Sequence, residues 1–395
     1  MSLDWSALLA PRMAGMTASE IRELLKLLEQ PDIISFAGGI PDPDLFPREA
    51  VNRAYDHVLR SNSLAGSALQ YTVSEGYAPL RQWIAERQDV AADDILITNG
   101  SQQALDFLGK CLIDRGSLVA VTNPTYLGAL QAFSPYEPRY LTVPMDDQGL
   151  LIEPLAEALA QKPKFLYLVP DFQNPNGITM SLERRQAALE LCREHGVPLI
   201  EDAAYTELRY DGERIPTFLE LDAEARKTGD GIVIHCGTFS KSVVPALRIG
   251  WVTGPKFLVE KLVLMKQASD LHCSTINQMV MHQVVTELYD RHVKELRTHY
   301  RQRRDAMLAA LDEFFPKTAR WTRPQGGMFV WIELPEGMSG SELLERAIKE
   351  ARVAFVPGAA FFPDRSGKNT IRLSFSVNKP EKIREGIRRL AGLVR

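Results

Sequence analysis

Lys241, in Gly237-Thr238-Phe239-Ser240-Lys241-Ser242, is the reactive side chain with the most defined setting. The apolar runs around it, Gly231-Ile232-Val233-Ile234-His235-Cys236 and Ile249 to Thr253, predict two buried strands. The lysine therefore falls on a turn at a strand end. Its amine can condense with an aldehyde and then pass a proton, provided burial and nearby cations keep it partly neutral. The hydroxyls of Thr238 and Ser240 and the guanidinium of Arg248 can reach the oxygens of a phosphate. A Ser-Lys pair alone is usually a solvated loop, so the remaining polar residues decide what this one does.

Several of these sit where a strand runs out. Asp202, with Glu201 beside it, ends the apolar run Val197 to Ile200. Side chains alternate across a strand, so only one of the two carboxylates can face a ligand, while the other caps a helix or pairs elsewhere. Gly100-Ser101-Gln102 opens a helix, whose free amides and dipole favour an anion, although Ser101 taken alone is a plain N-terminal cap. Asn174, in Asn174-Pro175-Asn176-Gly177, and Tyr126, in Asn123-Pro124-Thr125-Tyr126, lie in sequences that are common as turns. Arg372, in Thr370-Ile371-Arg372-Leu373-Ser374-Phe375, could hold a carboxylate with both arms of its guanidinium or simply lie on a surface strand.

Together these residues are informative. The T-x-S-K run leading to Arg248 and Gly250 closely resembles the lysine signature of the pyridoxal phosphate (PLP) enzymes of the aspartate aminotransferase fold. The resemblance runs from Ser35-Phe36-Ala37-Gly38-Gly39-Ile40-Pro41 to Arg372, and is strongest to the branch holding 2-aminoadipate, kynurenine and related broad-specificity aminotransferases. It implies an α/β protein of PLP-transferase fold type I, with a mostly parallel seven-stranded sheet flanked by helices and a smaller α+β domain. It further implies that Lys241 holds the cofactor and that Asp202, rather than Glu201, faces the ring nitrogen. Asn174 and Tyr205 would donate to the ring's phenolic oxygen, and Tyr126 would stack on the ring. Ser101, Gln102, Thr238, Ser240 and Arg248 would surround the phosphate. Tyr71 would cross a homodimer interface to the partner's cofactor phosphate. Gly39 would lie over the substrate, with Asn174 and Arg372 at its carboxylate.

The elements that must position these groups alternate. Ile95 to Thr98, Leu118 to Thr122, Phe165 to Val169 and Val197 to Ile200 predict strands, and the helices Ser101 to Ile113, Leu127 to Phe133 and Leu182 to His195 follow three of them. This interval implies a mostly parallel sheet covered on both faces, with ligands beyond the carboxyl ends of its strands. Helices are expected over Pro47 to Leu59 and Ala78 to Glu86; from about Leu258 the chain is expected to be helical, with a long charged stretch over Lys294 to Phe315. Residues 46–290 are expected to form the large domain, and 1–45 with 291–395 the smaller one. An amphipathic helix over Thr17 to Leu28 carries Arg22, expected to act from a movable lid on the choice of substrate side chain.

Composition limits the alternatives. The 395 residues, 45% hydrophobic and 24% charged with a net charge of −4, are those of a soluble globular protein without the basic face that nucleic acid requires. Four cysteines without a C-x-x-C pair and seven histidines without zinc spacing predict neither disulfides nor a metal site. The start of the chain resembles no signal peptide and no apolar run approaches a membrane span, so a cytoplasmic location is expected. The expected reaction is transamination between an α-amino acid and a 2-oxo acid, 2-oxoglutarate being the expected acceptor. A PLP lyase or decarboxylase on the same fold is the enzymatic alternative, and an aminotransferase-like regulatory domain the non-enzymatic one.

Overall fold

The computed structural model describes residues 3–16 and 32–394. In chain order its strands are β1 (Ile34–Ser35), β2 (Ile95–Thr98), β3 (Leu118–Asn123), β4 (Arg139–Asp146), β5 (Gly149–Leu150), β6 (Leu166–Leu168), β7 (Leu199–Asp202), β8 (Val233–Thr238), β9 (Gly250–Thr253), β10 (Arg320–Trp321), β11 (Phe329–Glu333), β12 (Val353–Ala354), β13 (Val356–Pro357) and β14 (Thr370–Ser374). The central sheet has the order β2-β9-β8-β7-β6-β3-β4-β5. Strands β4, β3, β6, β7 and β8 are mutually parallel, whereas β9 runs against both β8 and β2. The seven expected strands are joined by an eighth, β5, two residues long, which folds back on the end of β4 at the sheet edge.

Both faces of this sheet are covered, and the alternation along each strand divides the core in two. Val121, Tyr167, Ile200, Ile234 and Val252 pack on one side with the helices Ser101–Leu112 and Lys256–Ser269. Ala120, Leu166, Leu168, Leu199 and Val233 face the other way, onto Ile152–Ala160 and Leu182–His195. Because β9 is antiparallel to both of its neighbours, β2 and β8 point the same way. The ends of β2, β3, β6, β7 and β8 and the start of β9 therefore share one edge of the sheet, and Ser101, Tyr126, Asn174, Asp202, Thr238, Lys241 and Arg248 lie at or next to those ends.

A second, antiparallel sheet, β10-β11-β14-β13, carries Arg372, while β1 pairs in parallel with β12. The pairing of β1 with β12 supports the proposal that residues 1–45 and 291–395 form one smaller unit beside 46–290. One helix, Thr275–Phe314, runs unbroken through positions 290 and 291. The stretch expected to be helical from about Leu258 forms two helices, this one and Lys256–Ser269 before it. Val280, Met281, Val284 and Val285 bury one face of the longer helix's first half, while Glu287 and Asp290 on the exposed side pair with Arg53 and Arg87. No helix among the described residues is long and apolar enough to cross a membrane. The expected Thr17 to Leu28 helix, with Arg22, lies outside the described residues.

Candidate active site

Lys241 occupies the connection between β8 and β9, one of several chain turns that converge on a cavity of about 520 Å³. Ser101, Gln102, Tyr126, Asp202, Tyr205, Thr238, Ser240, Lys241 and Arg248 all line it, brought together from the ends of β2, β3, β7 and β8 and the approach to β9. The Lys241 Nζ donates to Gly39 O at 2.9 Å. Burial, reinforced by the charges of Arg372 and Arg248, brings the Lys241 amine down to about 8.

The alternation at the end of β7 separates the two carboxylates. Glu201 accepts from Phe218 N at 2.8 Å, Leu219 N at 3.2 Å and His235 Nδ1 at 2.9 Å, so it caps the Phe218–Leu221 helix on the far face. Burial opposes its ionisation, but His235 and the Phe218 amide hold its carboxyl below the usual range. Asp202 faces the cavity. Its Oδ2 accepts from Tyr167 Oη at 2.9 Å, while its Oδ1 is buried without a hydrogen-bond partner. Burial pushes the Asp202 carboxyl up to about 6, although Tyr167 acts in the opposite sense. Tyr167 is a residue that the reading of the sequence missed; in a short buried strand nothing but its alternation with Leu166 and Leu168 distinguishes it.

At the opposite end of the cavity Gly100, with φ of 74°, turns the chain from β2 into the Ser101–Leu112 helix. A Cβ on Gly250 would lie 2.6 Å from Ser101 N, so the floor of the turn is open only to glycine. Arg248 Nη2 donates to Asn99 O at 3.1 Å and remains exposed. The Thr238 hydroxyl is engaged within its own turn, accepting from Ser240 N at 3.1 Å and bonding Ser240 Oγ at 2.9 Å. Gln102 lines the cavity, with its amide donating to Gly128 O at 2.7 Å. A Cβ on Gly128 would lie 2.4 Å from the Tyr126 ring, and burial takes the Tyr126 hydroxyl to about 12.

Arg372 is almost fully buried and, unlike Tyr205, is not among the residues that line the cavity. Its Nη1 donates to Asn174 Oδ1 at 2.7 Å and its Nη2 to Ala37 O at 2.6 Å, while its Nε is buried without an acceptor. The bond from Arg372 orients the Asn174 amide so that its Nδ2 faces Tyr205 Oη, 3.4 Å away. Phe329 and Phe361 flank the guanidinium at 4.4 and 5.1 Å from their ring centroids. Burial lowers Arg372 to about 10. Gly39 is required by protein packing: a Cβ there would lie 2.6 Å from the Phe329 ring, which itself carries Arg372. Tyr71 is outside the cavity and 78% exposed, its ring meeting His272 edge-on at 5.7 Å.

A lysine of lowered basicity, a buried carboxylate with a free oxygen, an anion-favouring helix start and a buried arginine thus converge from different elements. The family model for aminotransferase class I and II matches residues 31–390. The chain belongs to the class I and II aminotransferases. It is 46% identical to a 2-aminoadipate transaminase of Thermus thermophilus, aligning 98% of this chain with 96% of that one. It is 44% identical to aromatic-amino-acid aminotransferase 1 of Thermococcus litoralis, over 100% of this chain and 95% of that one. Among solved structures, an α-aminoadipate aminotransferase from Thermus thermophilus, complexed with N-(5'-phosphopyridoxyl)-L-leucine, superposes with a TM-score of 0.93. That structure is 44% identical, and the match covers 99% of this chain and 98% of the other.

This aminotransferase has fold type I and takes pyridoxal 5'-phosphate as cofactor. The residues present fit that group. The unpaired Asp202 Oδ1 is an acceptor waiting for a donor at the ring nitrogen, and the glycine-floored start of the Ser101–Leu112 helix suits a phosphate. When bound, the cofactor supplies an electron sink for the bond broken at the substrate Cα.

Proposed function

We propose that this aminotransferase passes the amino group of a 2-aminoadipate, aromatic, kynurenine-type or branched-chain amino acid to a 2-oxo acid, with 2-oxoglutarate as the acceptor. The observation that carries the reading is Arg372, a buried cation for which no carboxylate partner stands within ion-pair distance among the described residues. A buried charge without a counter-ion is disfavoured, and the α-carboxylate shared by amino and 2-oxo acids would complete it through the guanidinium donors. The names of the two relatives reported above support the 2-aminoadipate and aromatic donors, and Arg22 is proposed to tune the choice among the donor classes.

In this reading Lys241 holds the cofactor and moves a proton at its Nζ, for which a basicity near neutrality is suited. Asp202 keeps a negative charge against the ring nitrogen. Asn174 and Tyr205 orient the phenolic side of the ring, Tyr126 covers its face, and Ser101, Gln102, Thr238, Ser240 and Arg248 hold the phosphate end. Gly39, packed against Phe329, lies over the substrate. The working form is a cytoplasmic homodimer. Leu69, Tyr71, Val73 and Leu271, each more than half exposed, form an apolar surface suited to a second copy, to whose site Tyr71 contributes.

The test is a panel of amino donors, each added alone to the cofactor-loaded protein while the cofactor absorbance is followed, then 2-oxoglutarate added to reverse the change. Conversion to the pyridoxamine form by 2-aminoadipate or an aromatic donor, reversed by 2-oxoglutarate, is expected. Release of carbon dioxide or of a cleaved side chain with no pyridoxamine form would refute transamination as the main reaction.

A further inference from the structure

The turn that opens the Ser101–Leu112 helix is held from behind by a group of side chains with no place in the scheme above. Asn99 is its key residue, because Asn99 O receives the Arg248 guanidinium and the next two residues lead into the helix. Two bonds hold Asn99 in turn. Its backbone N donates to Gln103 Oε1 at 2.9 Å, and its Nδ2 donates to Asp270 Oδ2 at 2.6 Å. The same Asp270 oxygen accepts from Gln103 Nε2 at 2.7 Å. Lys266, whose side chain has no exposed surface, donates to Asp270 Oδ1 and to Gln103 Oε1, each at 3.0 Å, and to Cys273 Sγ at 3.1 Å.

The polarity of this group allows one arrangement. A lysine can only donate and an ionised aspartate can only accept, so the Gln103 amide must turn its oxygen to Lys266 and its nitrogen to Asp270. Its oxygen is thereby also presented to Asn99 N. Lys266 is buried and the Asp270 side chain is about a quarter exposed, so the pair adds little net stability, while its hydrogen bonds fix the direction of each partner. Here the geometry specified is that of the backbone at Asn99.

Asp270 also lies on the turn that serves the exposed surface. Leu271 takes φ of 63°, His272 meets the Tyr71 ring, and Thr275 Oγ1 donates to Gln70 O at 3.2 Å. The turn after the Lys256–Ser269 helix thus fastens both the Asn99–Ser101 backbone and the segment bearing Tyr71.

We propose that Asp270, held by Lys266, is a positioning residue that sets the phosphate-binding turn Asn99–Ser101 and the Tyr71 segment in register with one another. The proposal rests on the reading of that turn as the phosphate end of the cofactor site. Asp270→Asn removes the charge and turns one side of the group into a donor, set either against Lys266 or against the amides of Asn99 and Gln103, whereas Lys266→Met leaves the Asp270 carboxylate its two amide partners and removes the cation with its bonds to Gln103 and Cys273.

The test uses the full-length protein freed of cofactor and titrated separately with pyridoxal 5'-phosphate and with pyridoxal, which lacks the phosphate. Asp270→Asn should raise the Kd for pyridoxal phosphate by about tenfold or more, the order of one charge-assisted hydrogen bond, and leave that for pyridoxal within about twofold. Lys266→Met should show a smaller loss with the same selectivity, and carries the test if Asp270→Asn does not fold. Equal weakening of both ligands, or of neither, would overturn the proposal alone. A wild-type protein that binds pyridoxal as tightly as its phosphate would overturn the reading of the turn itself.

Discussion

Replacing Asp202 by asparagine should make the cofactor-free protein more stable and the enzyme much worse. Asparagine is nearly isosteric, and its Oδ1 can still accept from Tyr167. What is lost is a carboxyl that burial raises from 3.8 to about 6, meaning that in the cofactor-free protein its ionised form is disfavoured by about 3 kcal/mol at pH 7.5. Between pH 4 and 6 the folded state holds more protons than the unfolded chain, so stability falls as pH rises through that window. Asp202→Asn should therefore raise the unfolding free energy of the cofactor-free protein by up to about 3 kcal/mol at pH 7.5 and by about half as much at pH 5. The same change removes the anion proposed to pair with the ring nitrogen, which should weaken cofactor binding by about a hundredfold and slow transamination by about a thousandfold. Denaturant unfolding of wild type and variant at the two pH values, with cofactor titrations alongside, measures each quantity. A variant less stable than wild type at pH 7.5, or a gain that does not shrink at pH 5, would refute the view that burial outweighs the Tyr167 hydrogen bond at Asp202.

Lys241→Ala should abolish transamination, and borohydride treatment of the loaded wild-type protein should fix the cofactor covalently at Lys241; peptide mapping that finds the label on another lysine refutes the assignment. Tyr71→Phe should weaken cofactor binding by about 1.5–3 kcal/mol, the worth of a hydrogen bond to a charged group. A fully active monomer in sedimentation at assay concentration would contradict the shared site on which that value depends. Arg22→Ala should raise KM for 2-oxoglutarate and 2-aminoadipate and leave aromatic donors nearly unchanged in their own half-reaction. Equal effects on both classes would return Arg22 to an ordinary surface role.

The chain's own order of residues determined the alternation of strands and helices around the site. β-Branched runs ending in polar turns place Ser101, Tyr126, Asp202 and Lys241 at strand ends whatever the packing, because local backbone preference and the period of two are properties of short segments. That only one of Glu201 and Asp202 could face a ligand followed from the same period. Which one does was decided by the tertiary structure, through His235 and the amides of Phe218 and Leu219 on one face and Tyr167 on the other. Where the helical stretch from about Leu258 breaks was decided by the tertiary structure, which turns the chain between Ser269 and Thr275 with Leu271 at φ of 63°. The role of Gly39 had been read from its freedom to approach a ligand, whereas the atom that excludes a side chain there is on the Phe329 ring. Arg372 and Asn174 meet across 198 residues, and Asn99 and Asp270 across 171. Side-chain hydrogen bonds of that span leave no trace in the spacing of either partner, because their geometry exists only once two separate elements have packed.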